Sequence, residues 1–125
     1  MPTTEVIPTL FRAVPESKHS YDAWEMPGDP LPYIVFGFLD ESLFTPAVMS
    51  GDNPELLQRI FDFLERMASS RSVEVLNLML VGLFEPWSEN PTVLSKARDH
   101  MRPATEALAS QAAEKFTRHK LGERR

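Results

Sequence analysis

Apolar residues recur at helical spacing through much of the chain. After Asn53, the positions Leu57, Ile60, Phe61, Leu64 and Met67 fall at three- and four-residue steps and trace one face of a helix. Leu56, Phe63 and Ala68 widen that stripe, which predicts a helix over 54–68 with neighbours on two sides. Its start is written in Asn53-Pro54-Glu55. Asn can accept a hydrogen bond from an unpaired amide, Pro suits the first helical position, and Glu complements the dipole. Asn90-Pro91-Thr92 repeats the device. Glu55 with Arg59, and Asp62 with Arg66, are spaced for i,i+4 ion pairs in the favourable acid-first order.

Ser69-Ser70-Arg71-Ser72 is a polar break, and Ser72 is placed to cap a second helix running to about Glu85. The stretch Val75 to Phe84 is apolar almost all round, a pattern shared by buried strands and buried helices. Helix is favoured: the run is long, rich in Leu and Met rather than β-branched residues, follows a cap and has no obvious partner strand. An all-round apolar helix belongs at the centre of a bundle. Asn77 within it then needs a hydrogen-bond partner, because burying a bare amide is costly. Gly82 costs about 1 kcal/mol against Ala in a helix, which is offset if a neighbouring helix approaches closely there.

Leu31 to Met49 reads as a helix with Ile34, Val35, Phe38 and Leu39 inward, ended or kinked near Phe44 by Pro46. Val6 to Val14 makes a short first helix and Pro91 to His100 a fifth. Pro103 opens the last, with Ala104, Leu108, Ala112 and Phe116 in a narrow stripe. Residues 15–30, with Pro15, Pro27, Gly28, Asp29 and Pro30, read as a loop pinned by Tyr21 and Trp24. The expected domain is therefore all-α and spans residues 1–125: an N-terminal helix and proline-rich loop over 1–30, a helical core over 31–118, and a frayed basic tail over 119–125. Its about five or six helices form either an antiparallel bundle or a short stack of helix pairs resembling an armadillo or HEAT unit.

Composition narrows the range of activities. The chain has 125 residues and no cysteine, so disulfides and thiolate metal sites are excluded. Its start, Met1-Pro2-Thr3-Thr4-Glu5, lacks the basic and apolar regions of a signal peptide, and Val75 to Phe84 is about half the length a bilayer demands. A soluble, cytoplasmic protein without a membrane role is expected. The net charge of −5 is unevenly placed. Residues 1–95 hold 5 Lys/Arg and 14 Asp/Glu, a net of −9, whereas residues 96–125 hold 8 and 4, a net of +4. An acidic body repels nucleic acid and attracts a basic partner. Lys115, Arg118, Lys120, Arg124 and Arg125 make the C-terminus basic, but no stacking aromatics accompany them.

No phosphate loop, dinucleotide fingerprint, nucleophile elbow or zinc-binding helix occurs. His19, His100 and His119 lie on separate segments, and neither Asp40-Glu41 nor Glu85 with Glu89 has the facing geometry that acid–base chemistry requires. No cofactor, metal or catalytic residue is assigned, and an enzyme is not expected. Glu65 and Glu85 each close an apolar run near a loop. Each can serve as an acidic interface contact, or cap or pair with a neighbouring helix. Trp87 beside Glu85 and Glu89 offers an aromatic anchor with a charged rim, the mixture hot spots favour.

Pro32-Tyr33-Ile34-Val35-Phe36-Gly37, then Ile60-Phe61-Asp62-Phe63-Leu64-Glu65, then Val73-Glu74-Val75-Leu76-Asn77 and Val81-Gly82-Leu83-Phe84-Glu85, resemble the sequence of a family of small bacterial helical domains of unknown function. Those domains are similar to immunity proteins of toxin–antitoxin and interbacterial-competition loci. The resemblance covers about residues 30–118 and departs from the pattern at Phe38, where an acidic residue is usual. It implies an immunity-like role; with the acidic body, the expectation is a non-enzymatic protein-binding domain that neutralises a basic partner or toxin, with Glu65, Glu85, Trp87 and Glu89, chosen from their own positions in the chain, as the contact. The alternative is a structural or adaptor protein that associates with itself.

Overall fold

The expected caps form where their residues dictate. In a computed structural model describing residues 1–123, with side chains described to Lys115, Asn53 accepts from the Leu56 amide at 3.1 Å. Ser72 accepts from Val75 and Asn90 from Val93, each at 3.4 Å. Among the described residues there are helices and turns but no strand.

Among the described residues seven continuous helices result. They are α1 (Thr3–Ala13), α2 (Pro15–Trp24), α3 (32–50), α4 (Pro54–Ala68), α5 (73–88), α6 (Pro91–Arg98) and α7 (Pro103–Glu123). The count exceeds the expectation because 15–24, read as loop, is helical. Pro15 occupies the first helical position and Glu16 the first turn, as Pro54 and Glu55 do in α4. The helix ends at Glu25, which adopts the left-handed conformation (φ 55°). Tyr21 and Trp24 do tie the segment down: Phe11 lies 5.4 Å from Tyr21, and Trp24 stacks on Phe38 at 4.1 Å. The bounds of α7 take in much of the tail expected to fray. The Phe116 side chain, and Arg124 and Arg125 altogether, lie outside the described residues.

Pro46 does not end its helix. Both α3 and α5 widen into a π turn, at Asp40–Phe44 and Leu80–Phe84, directly before Thr45-Pro46 and Glu85-Pro86. Proline lacks an amide hydrogen and its ring collides with the carbonyl four residues earlier. Those carbonyls belong to Ser42 and Gly82, inside the π turns, so the wider turn carries each helix past its proline. Gly51 in the left-handed region (φ 65°) then closes α3.

α5 lies at the centre, with α3, α4, α7 and the start of α1 around it. A methyl group on Gly82 would sit 3.2 Å from the Phe36 Cβ, a tight contact that α3 would have to yield to by a few tenths of an ångström, so glycine suits the close approach there. Val75, Leu78, Met79, Leu83, Phe84 and Trp87 of α5 join Phe36, Leu39, Phe44, Ile60, Phe61 and Leu64 in one core. The expected all-round burial of α5 is corrected along one edge, where Val73, Asn77 and Val81 are exposed. Asn77 therefore meets water rather than a buried partner. In α3, Val35 and Leu39 are buried as expected and Phe38 packs partly against the core, but Phe36 is buried in place of Ile34, which is exposed.

The expected ion pairs within α4 give way to pairs with residues outside it, in α2 and in the turn before α7. Arg59 grips Glu16 of α2 with two hydrogen bonds, at 2.5 and 2.7 Å, and Arg102 pairs with Asp62. A guanidinium that reaches a carboxylate in fork geometry gains more than it does from an exposed i,i+4 neighbour.

Candidate functional site

The exposed edge of α5 runs Val73, Asn77, Val81, Glu85 and then Glu89 just past its end, at four-residue steps. Its first part is apolar at Val73 and Val81, with Asn77 between them. Between it and the start of α3 lies a groove of ≈270 Å³ lined by Thr3, Pro32, Tyr33, Glu74, Asn77, Leu78 and Val81. Tyr33 is 51% exposed, Val81 44% and Leu31 52%, so this groove opens among large apolar side chains that meet water. Thr3 donates to the Glu74 carboxylate at 2.9 Å and fixes the start of α1 at the rim. The second part of the edge is acidic. Neither α3 nor α5 contains a single Lys or Arg.

The four residues expected to form a partner contact are divided by the fold. Glu85 and Glu89 are exposed and lie on the edge just described. Glu65 is elsewhere and serves the fold. It accepts from the amides of Ala104 and Thr105, at 3.1 and 2.8 Å, and from the Thr105 hydroxyl at 2.8 Å, capping α7 across helices. Burial pushes its carboxyl upward, but the bonds from Thr105 and Ala104 and the nearby Arg102 outweigh that and hold it below the usual range. Of the two alternatives for Glu65, interface contact or cap, the geometry displays the cap.

Trp87 requires a correction. It is 1% exposed, packed on Phe61 and Phe84, and cannot act as a surface anchor. The helix continues through it to Ser88, so the indole faces the core instead of a loop. Its Nε1–H donates to Asp40 at 2.8 Å, and Thr45 donates to the same oxygen at 2.8 Å. Burial drives the Asp40 carboxyl above its usual range, these two bonds partly oppose the rise, and neighbouring Glu41 adds to it. Sequence reasoning passed over this pairing. Its one signal is the matching position of Phe44-Thr45-Pro46 and Phe84-Glu85-Pro86, which places an acid in the first π turn and a tryptophan just past the second.

A second hollow of ≈260 Å³ is lined by Gly51, Pro54, Leu57, Gln58, Phe61, His100 and Arg102. His100 rests against Phe61 at 5.4 Å between ring centres, and Arg102 is committed to Asp62. Among the described residues no group of three or more His, Asp and Glu is placed to hold a metal ion. No helix among them is long and apolar enough to cross a membrane.

The pattern of the family described as "Domain of unknown function (DUF7674)" matches residues 7–118. The chain belongs to this family. The match begins earlier than the resemblance read from the sequence, so the DUF7674 domain includes most of α1 and all of α2. No curated protein and no solved structure matches the chain. The groove and the edge of α5 both fall within the DUF7674 match, except for Thr3 at the rim.

Proposed function

We propose that this DUF7674 domain is a non-enzymatic protein-binding module that engages a basic partner through the exposed edge of α5. The observation that carries the reading is that edge itself: an apolar half at Val73 and Val81, an acidic half at Glu85 and Glu89, and no cation on either helix that borders it. Such a surface speeds encounter with a positively charged partner and repels anionic ones, including nucleic acid. The sharper form of the proposal is immunity-like. The domain covers and neutralises a basic toxin, a role that the acidic edge suits, and works in the cytoplasm.

We also read 32–68 and 73–98 as two helix-pair units of the armadillo or HEAT kind. Each pairs a helix carrying a π turn that ends on the Phe of Phe-x-Pro with a second helix opened by Asn-Pro. Stacks of that kind offer a continuous helix edge to partners.

The test is purification of the native partner on the tagged domain, followed by affinity titration at rising salt for wild type and for Glu85→Lys with Glu89→Lys. A basic protein whose binding weakens on charge reversal and at high salt is the expected result. Equal binding by the double variant at every salt concentration would remove the reading.

A further inference from the structure

We infer that the groove between α3 and α5 receives one bulky apolar side chain from a protein segment flanked by Lys or Arg. This rests on the protein-binding reading above and specifies its partner.

Size comes first. The groove's ≈270 Å³ falls at or below the about 300–1,000 Å³ typical of small-molecule pockets, yet gives room to one anchoring side chain. Pro32, Tyr33, Leu78 and Val81 make its walls mostly apolar, offering few hydrogen bonds to water held between them, while Thr3, Glu74 and Asn77 add polar groups to the lining. A Leu, Phe or Trp inserted there would remove Tyr33 and Val81 from water, both now about half exposed.

Charge then selects what flanks the anchor. Glu74 lines the groove, already held in place by Thr3, and Glu85 follows Val81 by one helical turn. No Lys or Arg on α3 or α5 neutralises them. A segment with Lys or Arg beside its anchor meets carboxylates at the rim, whereas an acidic segment meets like charge. The same reasoning disfavours a second copy of this chain. A two-fold contact through this edge sets Glu74 and Glu85 against the same two helices of the partner copy, which also lack cations.

The isotope-labelled domain is titrated with three short synthetic peptides and followed by amide chemical shifts. The first has one tryptophan flanked on both sides by lysines, the second has serine in place of the tryptophan, and the third keeps the tryptophan between glutamates. Val81→Arg fills the groove mouth from an exposed position. Its melting temperature is measured alongside, and Asn77→Arg repeats the block from the neighbouring turn. The inference expects the first peptide to move the Tyr33, Leu78 and Val81 amides. It expects binding at least about tenfold weaker for the serine peptide and for either groove variant, and no binding of the glutamate peptide.

If the serine peptide binds as well as the tryptophan peptide and only Glu85→Lys with Glu89→Lys weakens it, the acidic edge stands and the groove inference falls. If neither lysine peptide moves the groove amides, the inference also falls, and the native-partner titration decides the wider reading separately. If the groove amides instead shift with protein concentration in the absence of peptide, a second copy covers the face and the inference is overturned.

Discussion

Helix α4 passes through Phe63-Leu64-Glu65 and α5 through Leu83-Phe84-Glu85, so each places a glutamate directly after two buried apolar residues. Glu65 meets the start of α7, whose first amides lack partners within their own helix, and its carboxylate supplies them. Glu85 meets only solvent, because the residues around it turn inward: Phe84 and Trp87 bury themselves while Glu85 and Pro86 stay outside. One acid is thus part of the scaffold and the other belongs to the surface. A glutamate's role here follows from which helix end happens to lie opposite, a fact of tertiary arrangement.

The inner side of the α5 end gives the largest contrast. Trp87→Ala removes a buried indole and leaves Asp40 with one of its two donors lost. A loss of about 3–5 kcal/mol is expected in urea unfolding, a large share of a stability of about 5–15 kcal/mol. A loss under about 1 kcal/mol would show that the indole is not packed as described.

Glu65→Ala should cost about 1–3 kcal/mol, since two amides and a hydroxyl at the α7 start lose their acceptor. Hydrogen exchange should rise first at Ala104 and Thr105. Equal exchange in variant and wild type would detach Glu65 from α7.

Two of the carboxyls with shifted protonation, Glu65 and Asp40, predict opposite pH effects. Glu65 is held below its usual range, so its contribution is present above its unfolded pKa and is lost as pH falls through its folded value. Asp40 is raised by burial, so the folded state binds the proton more tightly. Its contribution is present below the unfolded pKa and is lost as pH rises through the folded one. Asp40→Asn keeps a carbonyl acceptor for Trp87 and Thr45 and removes the buried charge. It should be neutral or stabilising by up to about 1 kcal/mol at pH 7. Relative to wild type, that advantage should shrink as pH falls. A variant less stable than wild type at pH 7, with an unchanged difference in acid, would contradict this account.

Smallest of all, Glu85→Lys should change stability by no more than about 0.5 kcal/mol, because the side chain is exposed. Melting curves that separate the variant by more than that would place Glu85 in the scaffold beside Glu65.

Much of the secondary structure was written locally. Asn53, Ser72 and Asn90 cap the helices that follow them, and Gly82 marks the close contact with α3. The missed helix 15–24 carried the same Pro-Glu start as α4, but it buries only Ser17 fully, so no apolar stripe announced it. Pro46 and Pro86 look like helix breakers because a local rule does not foresee a π turn that relocates the lost hydrogen bond. Within the candidate site, the acidic character of Glu85 and Glu89 was legible, whereas the groove was not, since Tyr33 and Val81 are far apart in the chain.

The sequence by itself determined an all-helical chain, most helix starts, the acidic bias and the lack of cysteine chemistry, because capping, periodicity and charge act over a few residues. The tertiary structure alone decided which of its similar acids caps a helix, that Trp87 reaches Asp40 in the core, that Arg59 takes Glu16 instead of Glu55, and that one edge of the apolar α5 faces water. Those outcomes depend on side chains distant in sequence meeting at hydrogen-bond or van der Waals range, and no local spacing encodes that meeting.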